Sequence, residues 1–124
     1  ADFKAIGTVK DEAGKPLKGI RVAIRQHWHN ENTKDIIYDN NDWYQDDTVY
    51  TDDQGAYERS ETVFSAPQDV TVVFEDIDGM ENGGEFSKAV AQPEIKQTKK
   101  GDKNWYNGAF EVQANAIMPR KEGE

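Results

Sequence analysis

The sequence predicts an all-β domain, an antiparallel Greek-key β-sandwich of seven or so short strands with long polar loops. Three observations carry this. Apolar and polar residues alternate with a period of two in several stretches, the signature of a strand with one buried face. Clusters of Gly, Pro, Asp and Asn separate those stretches, as turns require. No apolar run of useful length keeps the 3.6-residue period of a helix.

Taken in order, Phe3 to Lys10 holds β-formers and reads as the first strand. In GIRVAIRQ, Ile20, Val22 and Ile24 fall on one face and Arg21, Ala23 and Arg25 on the other, a half-buried strand. DEAGKPLKG between them has Gly14 for positive φ and Pro16 to stop a ladder, so the pair reads as a hairpin. Residues 27–47 break the pattern with six acids, one Lys and interleaved aromatics, although DIIY within them can form a short strand. Thr48 to Thr51 is β-rich, DDQG is a turn with Gly55 at positive φ, and Ala56 to Phe64 resumes as a strand. Asp69 to Phe74 alternates Val70, Val72 and Phe74, and a short strand is expected from Phe86 to Val90. Residues 91–104 are polar and read as a connection. Trp105 to Met118 closes the fold with Phe110, Val112, Ala114 and Ala116 in alternation. Residues 1–118 make one domain, and 119–124 is expected to fray.

The bulk numbers narrow the partners. A chain of 124 residues fits one domain that folds without staples. Only 35% of residues are hydrophobic and the mean hydropathy is -0.93, so the core is spare. With 15 basic and 24 acidic residues the net charge is -9, which disfavours nucleic acid and anionic membranes, because such a surface cannot neutralise phosphates. The absence of Cys excludes disulfides, thiolate zinc sites and a Cys nucleophile. No secretory segment opens the sequence, which reads as cytosolic or already processed.

The stretch GTVKDEAGKPLKGIRVAI with the later TDDQGAY resembles the carboxypeptidase regulatory-like, transthyretin-like (prealbumin-like) β-sandwiches over about half the chain. Adding FEDIDGMENGGEF and DKNWYNGAFEV, most of the chain is similar to the radical-SAM-associated lipoproteins of Bacteroidetes. That resemblance implies a cell-envelope protein, lipid-anchored through a Cys upstream of Ala1 and facing the periplasm or the outside. It touches a membrane only through that anchor, and a neighbouring radical-SAM enzyme is a candidate modifier. Two enzyme groups share the sandwich. Intradiol dioxygenases open with a similar Gly-x-Val stretch and hold iron with two Tyr and two His, the His pair in a late strand. Here the only His residues, His27 and His29, end the second strand, and the chain is short. Hydroxyisourate hydrolases end in Tyr-Arg-Gly-Ser, whereas this chain ends PRKEGE. The expectation from sequence is therefore a non-catalytic module that needs no cofactor and binds an envelope protein or a glycan.

Three groups of residues are candidate sites. In EDIDGMENGGE, the oxygens of Asp76, Asp78, Asn82 and Glu85 are of the type that calcium takes, with Gly79, Gly83 and Gly84 freeing carbonyls to turn inward. The structural alternative is a connection whose Asp and Asn cap their own backbone. Trp28, Trp43, Tyr44 and Trp105 lie in polar stretches, where large rigid rings serve protein or sugar contacts or cover the ends of the sandwich. His27 and His29, two apart on a strand, project to one face. With Asp35 or Asp39 they make the ligand set of a small metalloenzyme.

Overall fold

The computed structural model of the protein describes residues 2–29, 36–39, 48–62, 67–77, 86–101 and 108–120, and within these the side chains of all but 28–29 and 36–39. Among the described residues there are ten strands and no helix. They are β1 (Asp2–Lys10), β2 (Ile20–His29), β3 (Ile36–Asp39), β4 (Thr48–Tyr50), β5 (Ala56–Thr62), β6 (Asp69–Asp76), β7 (Ala89–Ala91), β8 (Lys96–Lys100), β9 (Gly108–Gln113) and β10 (Ala116–Ile117). They form two sheets, mostly antiparallel, packed as a β-sandwich. In one, β5 flanks β1, the successive β9 and β10 share its other edge, and β8 closes the far side of β9. In the other, β3 and β4 pair with opposite halves of β2, followed by β6 and β7.

The period-two patterns face inward as expected. Ile20, Val22 and Ile24 of β2 and Val70, Val72 and Phe74 of β6 are buried against Phe3, Ala5, Val9, Tyr57 and Val112 of the other sheet. Phe86 and Met118 complete the core.

Four expectations need correction. β1 and β2 do not form a hairpin, because they lie in different sheets. DEAGKP instead turns back on the end of β1, where Leu17 N–H donates to the Val9 carbonyl and the Leu17 side chain is sealed in the core, and the chain then crosses over. The sandwich is not wholly antiparallel, since β1 runs parallel to β9 and β10. The polar connection 91–104 contains β8, whose KQTKK is exposed at every position and shows no alternation. An exposed, lysine-bearing edge strand resists pairing with other sheets and needs no buried face. The expected strand 86–90 is displaced to Ala89–Ala91, and Phe86 instead bridges to Arg120, whose guanidinium lies 6.0 Å from the Phe86 ring centroid. Ser87 N–H donates to the Pro119 carbonyl, so the chain is pinned as far as Arg120.

Two clamps hold the sheets in place. The crossover is held by Thr51, a buried residue beyond β4. Its Oγ1 accepts from Ile20 N–H at 3.0 Å and donates to the Leu17 carbonyl at 2.6 Å, while its backbone exchanges hydrogen bonds with Gly19 and Ile20. The second clamp is at the break between β9 and β10. Tyr57 Oη donates to the Ala114 carbonyl at 2.5 Å, and its ring meets Phe74 of the opposite sheet edge-on at 5.9 Å. The same carbonyl presses on Gly7, where a methyl group would sit 1.9 Å from it. Asn115 Oδ1 accepts from Thr8 N–H and carries the ladder past the break. The turn D-D-Q-G before β5 is tied by Asp52 Oδ1, which accepts from Gln54 and Ala56 N–H. Gly55 there has φ of 72° and its carbonyl accepts from Val9 N–H.

Thr51→Val strands a buried donor and a buried acceptor and is expected to cost about 1–3 kcal/mol, read from the urea unfolding midpoint. Gly7→Ala has no space for its methyl group and is expected to destabilise by at least as much. Burial pushes the Tyr57 phenol well above the ordinary tyrosine value of 10.0, outweighing the hydrogen bond to Ala114. A raised folded-state value means that this contribution is complete below pH 10 and is lost as pH climbs beyond it. Stability measured from pH 9 upward should therefore fall, and Tyr57→Phe should lessen that fall.

Candidate functional site

The open end of the sandwich, opposite the two Asp-x-x-Gly turns, carries the polar side chains that the core does not use. β2 sends Ile20, Val22, Ile24 and Gln26 inward, so His27 points to the outer face. The ladder sets Asp69 of β6 opposite His27 on one side and Asp39 of β3 on the other, a row of three across the sheet. One step further the β2–β3 register shifts between Trp28 and His29, a bulge of the kind found beside active sites. Gln68 N–H donates to the His27 carbonyl and turns the chain into β6.

The loop between β7 and β8 folds over this end and encloses a cleft of about 610 Å³. His27, Asp69, Thr71 and Glu94 are its chemically active lining, and Ile95 gives it an apolar patch. Imidazole beside carboxylate can hold and pass a proton or contribute to a metal site. Among the described residues no three of His, Asp and Glu converge to hold a metal ion.

Inside the sandwich at the same end lies a polar cluster that sequence reasoning missed. Gln26 is sealed from solvent, and its Nε2 donates to Glu61 Oε1 across the two sheets. Arg59 Nη2 donates to the other oxygen of Glu61 at 3.4 Å. Both charged side chains are only about a fifth to a quarter exposed (24% and 20%). The signal was present in AYERSET. Once Tyr57 faces the core, Arg59 and Glu61 must follow it inward at a period of two.

Of the candidate calcium loop, Asp76 is described, and its Oδ2 accepts from Phe86 N–H at 3.1 Å, closing the loop onto the core. Asp78, Asn82 and Glu85 lie outside the described residues. So do Trp43, Tyr44, Trp105 and Asp35, and the side chains of Trp28, His29 and Asp39. Tyr106 lies outside them too.

No family model and no curated protein matches the chain. Solved structures do. The fold is similar to hydroxyquinol 1,2-dioxygenase from Pseudomonas putida, with TM-score 0.57 and 10% identity over 98% of this chain and 57% of that one. It is similar to catechol 1,2-dioxygenase from Acinetobacter radioresistens, with TM-score 0.58 and 13% identity over 98% of this chain and 53% of that one. It is similar also to the dioxygenase domain of a dioxygenase carbohydrate-binding protein fusion from Streptomyces sp. SirexAA-E, with TM-score 0.56 and 11% identity over 97% and 80%. The chain spans only 53 to 60% of the first structures it matches. At such identities the likeness establishes the fold.

These neighbours correct the functional expectation. The expectation of a non-catalytic module that requires no cofactor, with calcium as a possible ligand, is overturned by a fold whose matches are dioxygenases. The set of two Tyr and two His associated with intradiol iron does not fit the described residues. Tyr57 gives its phenol proton to a backbone carbonyl and is held protonated by burial, the reverse of a ligand phenolate. Tyr50 stands half-exposed on the short β4. No step through that iron centre is derived.

Removing Arg59 leaves Glu61 facing the core with less compensation. Arg59→Met is expected to cost about 1–3 kcal/mol, read from the urea midpoint.

Proposed function

We propose that the chain is a small metal-dependent enzyme whose site lies at the His27 end of a Greek-key, transthyretin-like sandwich. One observation carries the reading. The cleft gathers an imidazole and two carboxylates at the open end of a fold that is similar to dioxygenases. His27 and Asp69, opposite each other on β2 and β6, supply one imidazole and one carboxylate of a two-His, one-carboxylate set, a type that binds non-haem iron, and the sequence offers His29 for the second imidazole. The bulge after Trp28 supports a functional role for this stretch, because a bulge re-aims the side chains around it. When bound, the metal supplies the electrophile. The residues' own part is to present His27 from the central strand β2 and to shield one wall of the cleft from water with Ile95. An address in the cell envelope, implied by the sequence resemblance, belongs to the same proposal.

The test is metal analysis of untagged protein prepared without chelator, with oxygen uptake measured on catechol after loading with iron(II). The expected outcome is roughly one transition metal ion per chain. His27→Ala should abolish both metal binding and oxygen uptake while the far-ultraviolet circular dichroism stays unchanged. Protein that takes up neither iron, copper nor zinc and consumes no oxygen overturns the reading.

A further inference from the structure

We infer that the outer face of the sheet formed by β5, β1, β9 and β8 binds an uncharged oligosaccharide. This face is the one turned away from β2 and His27, and the inference does not depend on the proposed function. Three hollows lie side by side on it, of about 480, 470 and 430 Å³. The first two share Lys4, the last two share Glu111, and the first and third share Gln113 and Asn115, so they make one continuous trough. Its shape follows from residue size. β1 turns Phe3, Ala5 and Val9 into the core, which leaves Lys4, Ile6 and Thr8 facing out. Short side chains at Thr8, Ala56, Ser60 and Ala109 keep the floor low, between the longer Lys4, Glu58, Glu111 and Gln113. Ile6, half-buried and outside the core cluster, offers the floor an apolar patch on which the C–H face of a sugar ring can rest. From β5 to β8 the trough crosses three strand spacings, roughly 14 Å, the reach of a short chain of rings and more than a single ring fills.

The walls select the ligand. Their charges are matched among themselves. Lys4 Nζ lies 2.9 Å from Glu58 Oε1, and Glu111 stands between Lys4 and Lys96 in the ladder. Of the other acids, Asp52 is tied into its turn by Gln54 and Ala56 N–H, and Asp2 and Glu94 each line one of the three hollows. A charged ligand would have to compete with partners already in place. The groups left to a ligand are neutral. Ser60 and Thr98 bring hydroxyls and Gln113 a carboxamide, all exposed, and each both donates and accepts. Asn115 Oδ1 is taken by Thr8 N–H at 2.9 Å and Thr8 Oγ1 at 3.3 Å, which leaves its Nδ2 to donate. Groups that donate and accept at once match sugar hydroxyls, which do the same. A protein partner would look for large apolar anchors, and Tyr50, Ile77, Val90 and Ile117, the exposed ones among the described residues, all lie outside the trough.

The experiment is calorimetry on the whole chain with two neutral probes, cellohexaose and xylohexaose, and three comparators, cellobiose, hexagalacturonate and hexaglucosamine. At least one neutral hexaose is expected to bind, about tenfold tighter than cellobiose, because only the longer chain reaches across the trough. Its affinity should not change with salt, and neither charged hexamer should bind tighter than it does. Gln113→Ala removes a paired donor and acceptor, and Ser60→Lys lays a long charged side chain across the trough. Both positions are exposed, so the urea midpoint should stay in place while the hexaose Kd rises about tenfold in each. His27→Ala should leave hexaose binding as it was, so this inference and the enzymatic reading fail separately. Absence of binding by both neutral hexaoses overturns the inference. So do tighter binding of a charged hexamer, affinity that ignores chain length, and binding that survives Gln113→Ala combined with Ser60→Lys.

Discussion

The hydrogen bond from Tyr57 to the Ala114 carbonyl is the constraint around which the sandwich is arranged. It joins the edge strand β5 to the point where the last strand breaks in two, passing over Gly7 of the central β1. Because the carbonyl presses on Gly7, a residue with a side chain cannot stand there, and because β9 stops at that point, Asn115 must stand in for the missing ladder group. The Tyr57 ring then reaches Phe74, so one residue sets both the register within a sheet and the packing between sheets. A buried hydroxyl that is satisfied in this way costs little, whereas the same group without its partner would carry the full penalty of desolvation.

How much of this was legible depended on whether a residue announced its face. β2 and β6 were readable because Ile20, Val22, Ile24 and Val70, Val72, Phe74 alternate against polar neighbours, and alternation is what one-sided burial imposes. β8 was not, since an exposed edge strand needs no apolar face. The crossover after Pro16 was misread as a hairpin because Asp11 and Gly14 do make a tight turn. Where the chain goes after a turn is decided by long-range partners such as Thr51, more than thirty residues away (31 from Ile20). The candidate site was half legible. His27 and the row-mate Asp39 were singled out by type and spacing. Asp69, Glu94 and the inward Arg59–Glu61 pair were missed, because they gain meaning only when strands distant in sequence are brought into register.

The contrast with the neighbouring dioxygenases shows what a fold transmits. The sandwich persists at 10 to 13% identity in the structures named here, so it is maintained by an inward pattern and a few clamps that many sequences can supply. Catalytic groups are held to a stricter standard, since chemistry needs particular atoms at particular distances. Tyr57 is a case in point. A tyrosine stands in the interior, but its oxygen is committed to Ala114 and serves architecture.

The two Asp-x-x-Gly turns and the Thr51 clamp all lie at one end of the sandwich, and the cleft lies at the other. Stiffness and chemistry are thus spatially divorced. The loops around His27 can lengthen, shorten or exchange residues without loosening the knots that align the sheets. A lineage, or a protein engineer, is therefore free to rewrite one pole of the molecule while the other keeps it folded.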